Sequence, residues 1–168
     1  GFGTSVHLWG DSMLVGNPTG SETANYAGHV LFKDLPRVET LSYCAATTNS
    51  TGQAAHTSLA CPGILEERLL LRAAPTPPGS MGLFLLGSTN PSVPMFDGIR
   101  CVGGISMRRP LVFELGGELA DDVDLAAARA LGLLAPGSTW YAQAWFRDSA
   151  AGGTGSNLSS GLELIFAP

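Results

Sequence analysis

The chain has 168 residues, 45% of them hydrophobic and only 14% charged, with a formal net charge of −5 at pH 7. This length suits one ordinary domain with at most a small appendage, and it is enough to bury a core. The acidic balance excludes nucleic-acid binding, because Arg108-Arg109 is the sole basic pair and little here could displace phosphate counterions. No apolar run approaches the ~20 residues that span a bilayer; the runs at residues 69–71 and 83–86 end at Arg72 and Gly87. A surface so poor in charge is expected to rest on something, whether another subunit, the remainder of a larger protein or a matrix.

Residues 1–35 read as a small β unit. Phe2-Gly3 opens it, residues 5–9 alternate, Gly10-Asp11 turns, residues 13–15 continue, and Gly16-Asn17-Pro18 ends the second run. A polar loop at residues 19–25 leads to a third strand in Gly28-His29-Val30-Leu31-Phe32. This order of Phe-Gly, strand, Gly-Asp, strand, Gly-x-Pro and Gly-x-Val-x-Phe resembles one FG-GAP repeat of the integrin-α-type β-propeller. The resemblance implies a single blade, which buries its faces only against neighbours. Calcium binding does not carry over, since the loop lacks the acidic repeat found in many such blades. With Gly1 in place of an initiator Met, a signal sequence or an upstream region is expected before this chain.

Residues 36–168 form the second expected domain. A strand at residues 39–44 runs into a polar loop at residues 45–52, and residues 65–72 read as a strand between Pro62-Gly63 and the Pro-rich segment 75–79. Residues 81–86 make a compact buried strand, Asp97-Gly98 a tight turn before residues 99–102, and residues 110–115 another strand. Residues 122–125 begin as a strand, and residues 126–134 are rich enough in Ala and Leu for a brief helical turn. Residues 139–148 are the central strand, with Trp140, Ala142, Ala144 and Phe146 on one face and Tyr141, Gln143, Trp145 and Arg147 on the other. Trp140 and Phe146 are expected inside. The Gly-rich segment 149–157 then forms an exposed loop, and residues 162–166 a terminal strand. The whole is expected to be all-β: an antiparallel β-sandwich of about seven to eight strands behind a small N-terminal unit resembling a single propeller blade.

This second region resembles a C-terminal β module of large secreted bacterial proteins. The resemblance rests on Tyr43-Cys44 with Asn49-Ser50-Thr51-Gly52, Gly82-Leu83-Phe84 with Gly87, Asp97-Gly98 with Cys101-Val102-Gly103-Gly104, and residues 143–148 with Asn157-Leu158-Ser159. It implies a place outside the cell or at its surface, a structural or attachment role, and pairing of Cys44 with Cys101. The residues alone also allow Cys44-Cys61, and an odd thiol is expected to be buried in the core.

The chemistry on offer is sparse. Gly10-Asp11-Ser12 invites comparison with GDS-type serine esterases, but none of His7, His29 and His56 follows an Asp by three residues, so the tripeptide reads as a hairpin turn. No catalytic residue is assigned. Asp121, Asp122 and Asp124, with Asp148 beside the Gly-rich loop, are the calcium candidates; otherwise they are solvated surface charge, and no cofactor is required. Tyr141, Trp145, Arg147 and Asn157 are the candidate contacts to a partner or ligand. Asn49-Ser50-Thr51 and Asn157-Leu158-Ser159 are formal glycosylation sequons. The expectation is a non-catalytic extracellular module that packs, by β-strand contacts, with copies of itself or with upstream domains, even as a filament. The alternatives are an adhesion domain for carbohydrate or a cell surface, and a hydrolase built on Ser12.

Overall fold

The computed structural model describes residues 5–9, 12–17, 29–34, 38–60 and 68–167, with side chains described in the last two stretches. The chain divides into two compact units, residues 1–37 and 38–168. In the first, β1 (Ser5–Trp9), β2 (Ser12–Asn17) and β3 (His29–Asp34) form an antiparallel sheet in chain order. Trp9 pairs with Ser12 and Asn17 with His29 across its ladders. The Phe2-Gly3 opening, the Gly10-Asp11 turn, Gly28, the Ser12 side chain and Cys61 lie outside the described residues.

The second unit is an all-β sandwich. Its strands are β4 (Val38–Tyr43), β5 (His56–Leu59), β6 (Arg68–Ala74), β7 (Met81–Thr89), β8 (Val93–Met95), β9 (Gly98–Arg100), β10 (Gly103–Arg108), β11 (Val112–Phe113) and β12 (Leu119–Asp124). A short helix, α1 (Leu125–Ala130), precedes β13 (Thr139–Arg147), β14 (Ser156–Leu158) and β15 (Gly161–Phe166). The large sheet runs β10-β7-β13-β15-β4, with β11 added to β7 and β14 to β13; the small sheet runs β12-β6-β5, and β8 pairs with β9 as a hairpin. All pairings are antiparallel.

Alternation builds the core. On β6, Leu69, Leu71 and Ala73 are fully buried while Arg68 and Arg72 face out to Asp122 and Glu118. On β13, Trp140, Ala142, Ala144 and Phe146 point inward as expected, and β7 adds Phe84 and Leu86. Both sheets contribute to one cluster, closed at one end by Leu125 and Ala128 of α1. Each large side chain so buried stabilises the fold by about 1.5–3 kcal/mol relative to exposure. Asp124 starts α1 by accepting the Ala127 N–H at 2.9 Å.

Several elements differ in detail from the sequence reading. The strand expected over residues 110–115 contracts to β11; Pro110 lacks a ladder donor, and Leu111 and Leu115 are exposed. The turn expected at Asp97-Gly98 falls one residue earlier, at Phe96-Asp97, because Met95 pairs with Gly98. The Gly-rich segment is not a free loop: it holds a 3-10 turn at Ser149–Ala151 and then the fully buried strand β14.

Candidate functional site

The inward rows of β7 and β13 belong to the core, so their other rows form the outer face of the large sheet: Leu83 and Leu85 on β7, and Tyr141, Gln143 and Trp145 on β13. The chain between Val93 and Arg108 folds across this face. It descends as the β8–β9 hairpin, crosses at residues 101–103 and returns as β10 on the sheet edge. The crossing is close, since a Cβ at Gly87 would collide with the Gly103 carbonyl oxygen.

Buried polar groups fasten this cover. Gln143, with no exposed surface, accepts the Cys101 N–H at 2.8 Å and donates to the carbonyls of Ile99 at 2.8 Å and Ser159 at 2.7 Å. Tyr43 donates its hydroxyl to the Cys101 carbonyl at 2.5 Å, and burial, then Tyr141 and Glu163, push the Tyr43 phenol above its ordinary range. Cys44 and Cys101 stand at disulfide distance, with Cα atoms 6.2 Å apart. At the hairpin tip, the Asp97 carboxylate accepts the N–H groups of Thr154 and Gly155 at 2.9 and 3.1 Å. Those bonds, that from Thr154 foremost, hold the Asp97 carboxyl below its usual value. The Asp97 N–H in turn donates to Ser156.

Beyond these ties the outer face is only partly covered and bounds a groove of about 330 Å³. Its floor is Leu83, Leu85 and Trp145; Met95 and Phe96 of the hairpin stand on one side and Ile105 of β10 on the other, with Leu158 also lining it. Arg100 and Arg108 are the charged side chains of this lining. The Trp145 ring has Phe96 tilted against it at 6.4 Å between centroids, and the Arg147 guanidinium 5.6 Å from the Trp145 centroid. The Trp145 indole N–H and the Arg100 Nε–H are both buried without a hydrogen-bond partner. Met95, Phe96 and Ile105 remain 36%, 49% and 43% exposed, an apolar concentration well beyond scattered surface residues.

No family model, curated protein or solved structure matches this chain.

Of the four contact candidates, Trp145 lines the groove, and Arg147 lies outside the lining with its guanidinium over the Trp145 ring. Tyr141 lies elsewhere, packed edge-on against Tyr43 at 5.4 Å and donating to Glu163 at 3.5 Å. Burial, followed by Glu163, raises the Tyr141 phenol. Asn157 requires correction. It is 1% exposed, its Oδ1 accepts the Leu158 N–H at 2.7 Å and lies 2.8 Å from the Thr47 hydroxyl, and its Nδ2 donates to the Thr48 carbonyl. It braces a turn and offers nothing to a partner. Asn49 is 4% exposed and donates to the Pro75 carbonyl, so neither sequon presents its asparagine on the folded surface.

The calcium candidates also separate. Asp121 is largely buried and binds Arg109 at 2.6 Å, rather than standing in water as surface charge. Asp122 takes both ends of the Arg68 fork, which holds its carboxyl below the usual value, and Asp124 caps α1. Asp148 is 1% exposed and accepts the Ser50 N–H through Oδ2. Among the described residues no three His, Cys, Asp or Glu side chains converge as a metal-binding group.

The groove's aliphatic floor and arginines escape sequence reasoning because they come from three separate strands, β7, β9 and β10. One signal was present: Leu83-Phe84-Leu85-Leu86 is apolar on both faces, the mark of a strand covered on both sides.

Proposed function

We propose that residues 38–168 form a non-catalytic extracellular module that binds a partner through the Trp145 groove and so takes its place in a larger assembly. The groove carries this reading: an apolar hollow at the lower end of the volume range of ligand sites, open to solvent and lined by Trp145. The cover around it is held by a cysteine pair at disulfide distance, which suits an oxidising compartment. Among the described residues no helix is long and apolar enough to cross a membrane. A carbohydrate is the poorer occupant, because sugars stack on open aromatic faces edged by hydrogen-bonding groups, whereas Trp145 is flanked by Phe96 and floored by leucines.

The test uses the neutral apolar dye N-phenyl-1-naphthylamine and the full chain. Its fluorescence should rise on binding, and the rise should vanish in Trp145→Ala and in Ile105→Asp variants that keep the native melting temperature. A native chain that leaves the dye dark would sink the reading.

A second contact is favoured by the far edge of the same sheet. β4 ends the strand order, and Leu41 and Ile165, diagonal neighbours across the β4–β15 ladder, are 58% and 39% exposed. Strand addition at β4 would join copies or neighbouring domains. The blade-like first unit, with its three-stranded meander and FG-GAP resemblance, suits packing against further blades. A stable monomer in sedimentation velocity would exclude the self-assembling form.

A further inference from the structure

We infer that the occupant of the groove is an acidic apolar peptide segment, one or two large hydrophobic side chains flanked by carboxylates, supplied by a different polypeptide. This rests on the groove being the binding site. Charge decides the class of occupant. In a chain of net charge −5, the groove is lined by Arg100 and Arg108 and by no acid, and Arg147 stands beside Trp145. The ion pairs of the described residues occupy Arg68, Arg72 and Arg109, and leave Arg100 and Arg108 without a carboxylate. The nearest acid in sequence, Asp97, has its carboxylate spent on the N–H groups of Thr154 and Gly155.

The size fits as well: about 330 Å³ open to solvent accommodates side chains presented by a backbone lying outside. A second copy of this chain docking face to face is disfavoured, because a two-fold axis through this surface would set Arg100 and Arg108 against their own counterparts.

The experiment pans a phage-displayed library of random dodecapeptides on the full chain, with Trp145→Ala, Ile105→Asp and the Arg100→Met/Arg108→Met double variant as parallel targets. Selected peptides should carry Phe, Leu or Trp beside Asp or Glu. As synthetic peptides they should bind about tenfold more tightly than their Asn/Gln counterparts at low salt, the order expected of two partly desolvated charge pairs. The double variant and 1 M salt should each remove that tenfold difference. Apolar peptides selected without acidic bias would overturn the inference and leave the groove as binding site. Selection unaffected by both Trp145→Ala and Ile105→Asp would overturn the groove itself. Dimerisation of the native chain abolished by Ile105→Asp would make a second copy the occupant and overturn the assignment to a different polypeptide.

Discussion

Replacing Gln143 by leucine tests whether the cover over the outer sheet face is held by hydrogen bonds or by apolar packing. Leucine nearly fills the volume of glutamine, so the cavity contribution is small and the loss is polar. It strands the buried Cys101 N–H, worth about 1–3 kcal/mol, and leaves the Ile99 and Ser159 carbonyls short of a donor at a smaller penalty each. Relaxation is limited because Cys101 is tethered to Cys44 on one side and bonded to Tyr43 on the other. The sum is about 3–4 kcal/mol. At roughly 3–5 °C per kcal/mol for a domain of this size, the melting temperature should fall by about 10–15 °C. Near-UV circular dichroism during thermal and urea unfolding reads it, with Gln143→Leu compared against the half-exposed neighbour Tyr141→Phe. A loss under 1 kcal/mol for Gln143→Leu would refute the reasoning, and show that the 93–108 segment sits on the sheet by apolar contact alone.

Cys44 and Cys101 are 57 residues apart in sequence, so a Cys44→Ala/Cys101→Ala variant should lose about 4 kcal/mol in urea unfolding on the chain-entropy account; an unchanged midpoint would contradict a closed bridge. Asp97 has a folded carboxyl value below the ordinary 3.8, so its contribution is fully present above about pH 4 and is lost as the pH falls through the lower folded value. Urea midpoints of the native chain should accordingly drop between pH 4 and 2 more steeply than those of Asp97→Asn, and parallel profiles would dismiss the role of the hairpin tip. Gly87→Ala places a methyl against the Gly103 carbonyl, a backbone atom that cannot swing aside. It should cost about 2–3 kcal/mol and, by displacing β10, weaken dye binding in the groove; binding equal to the native chain would show that the crossing is looser than described.

The inner half of this fold was legible in the sequence because it follows from alternation alone. Trp140 and Phe146 on β13 face the core as their spacing requires, and Leu69 and Leu71 of β6 do the same from the opposite sheet. The outer half was not, because its environment is set by a segment forty residues away in the chain. Gln143 stands in the row that alternation assigns to solvent, yet it is wholly buried, since Ile99 and Cys101 lie over it. Asn157 and the Gly-rich segment misled for the same reason: polar, small residues typical of a free loop are consumed by bonds to Thr47, Thr48 and Asp97. Asp121 reads as surface charge until Arg109 is brought beside it. The pairing of Cys44 with Cys101 came from resemblance, as spacing left Cys44-Cys61 open.

The division of the outer face into a tied half and a partly covered half is itself informative. At Gln143, Tyr43 and Asp97 the covering segment meets polar partners and nearly every donor finds an acceptor. At Trp145 the same segment parts, with Met95 and Phe96 on one side and Ile105 on the other, and leaves apolar surface open to solvent. Stability alone favours the reverse arrangement: the most apolar patch covered first, and the polar groups left to water. A hairpin anchored through its polar backbone and held apart from the leucines beneath it is a wall, and its anchoring is what keeps the hollow from collapsing. Walls fixed in this way would spare the proposed partner the entropy of ordering them.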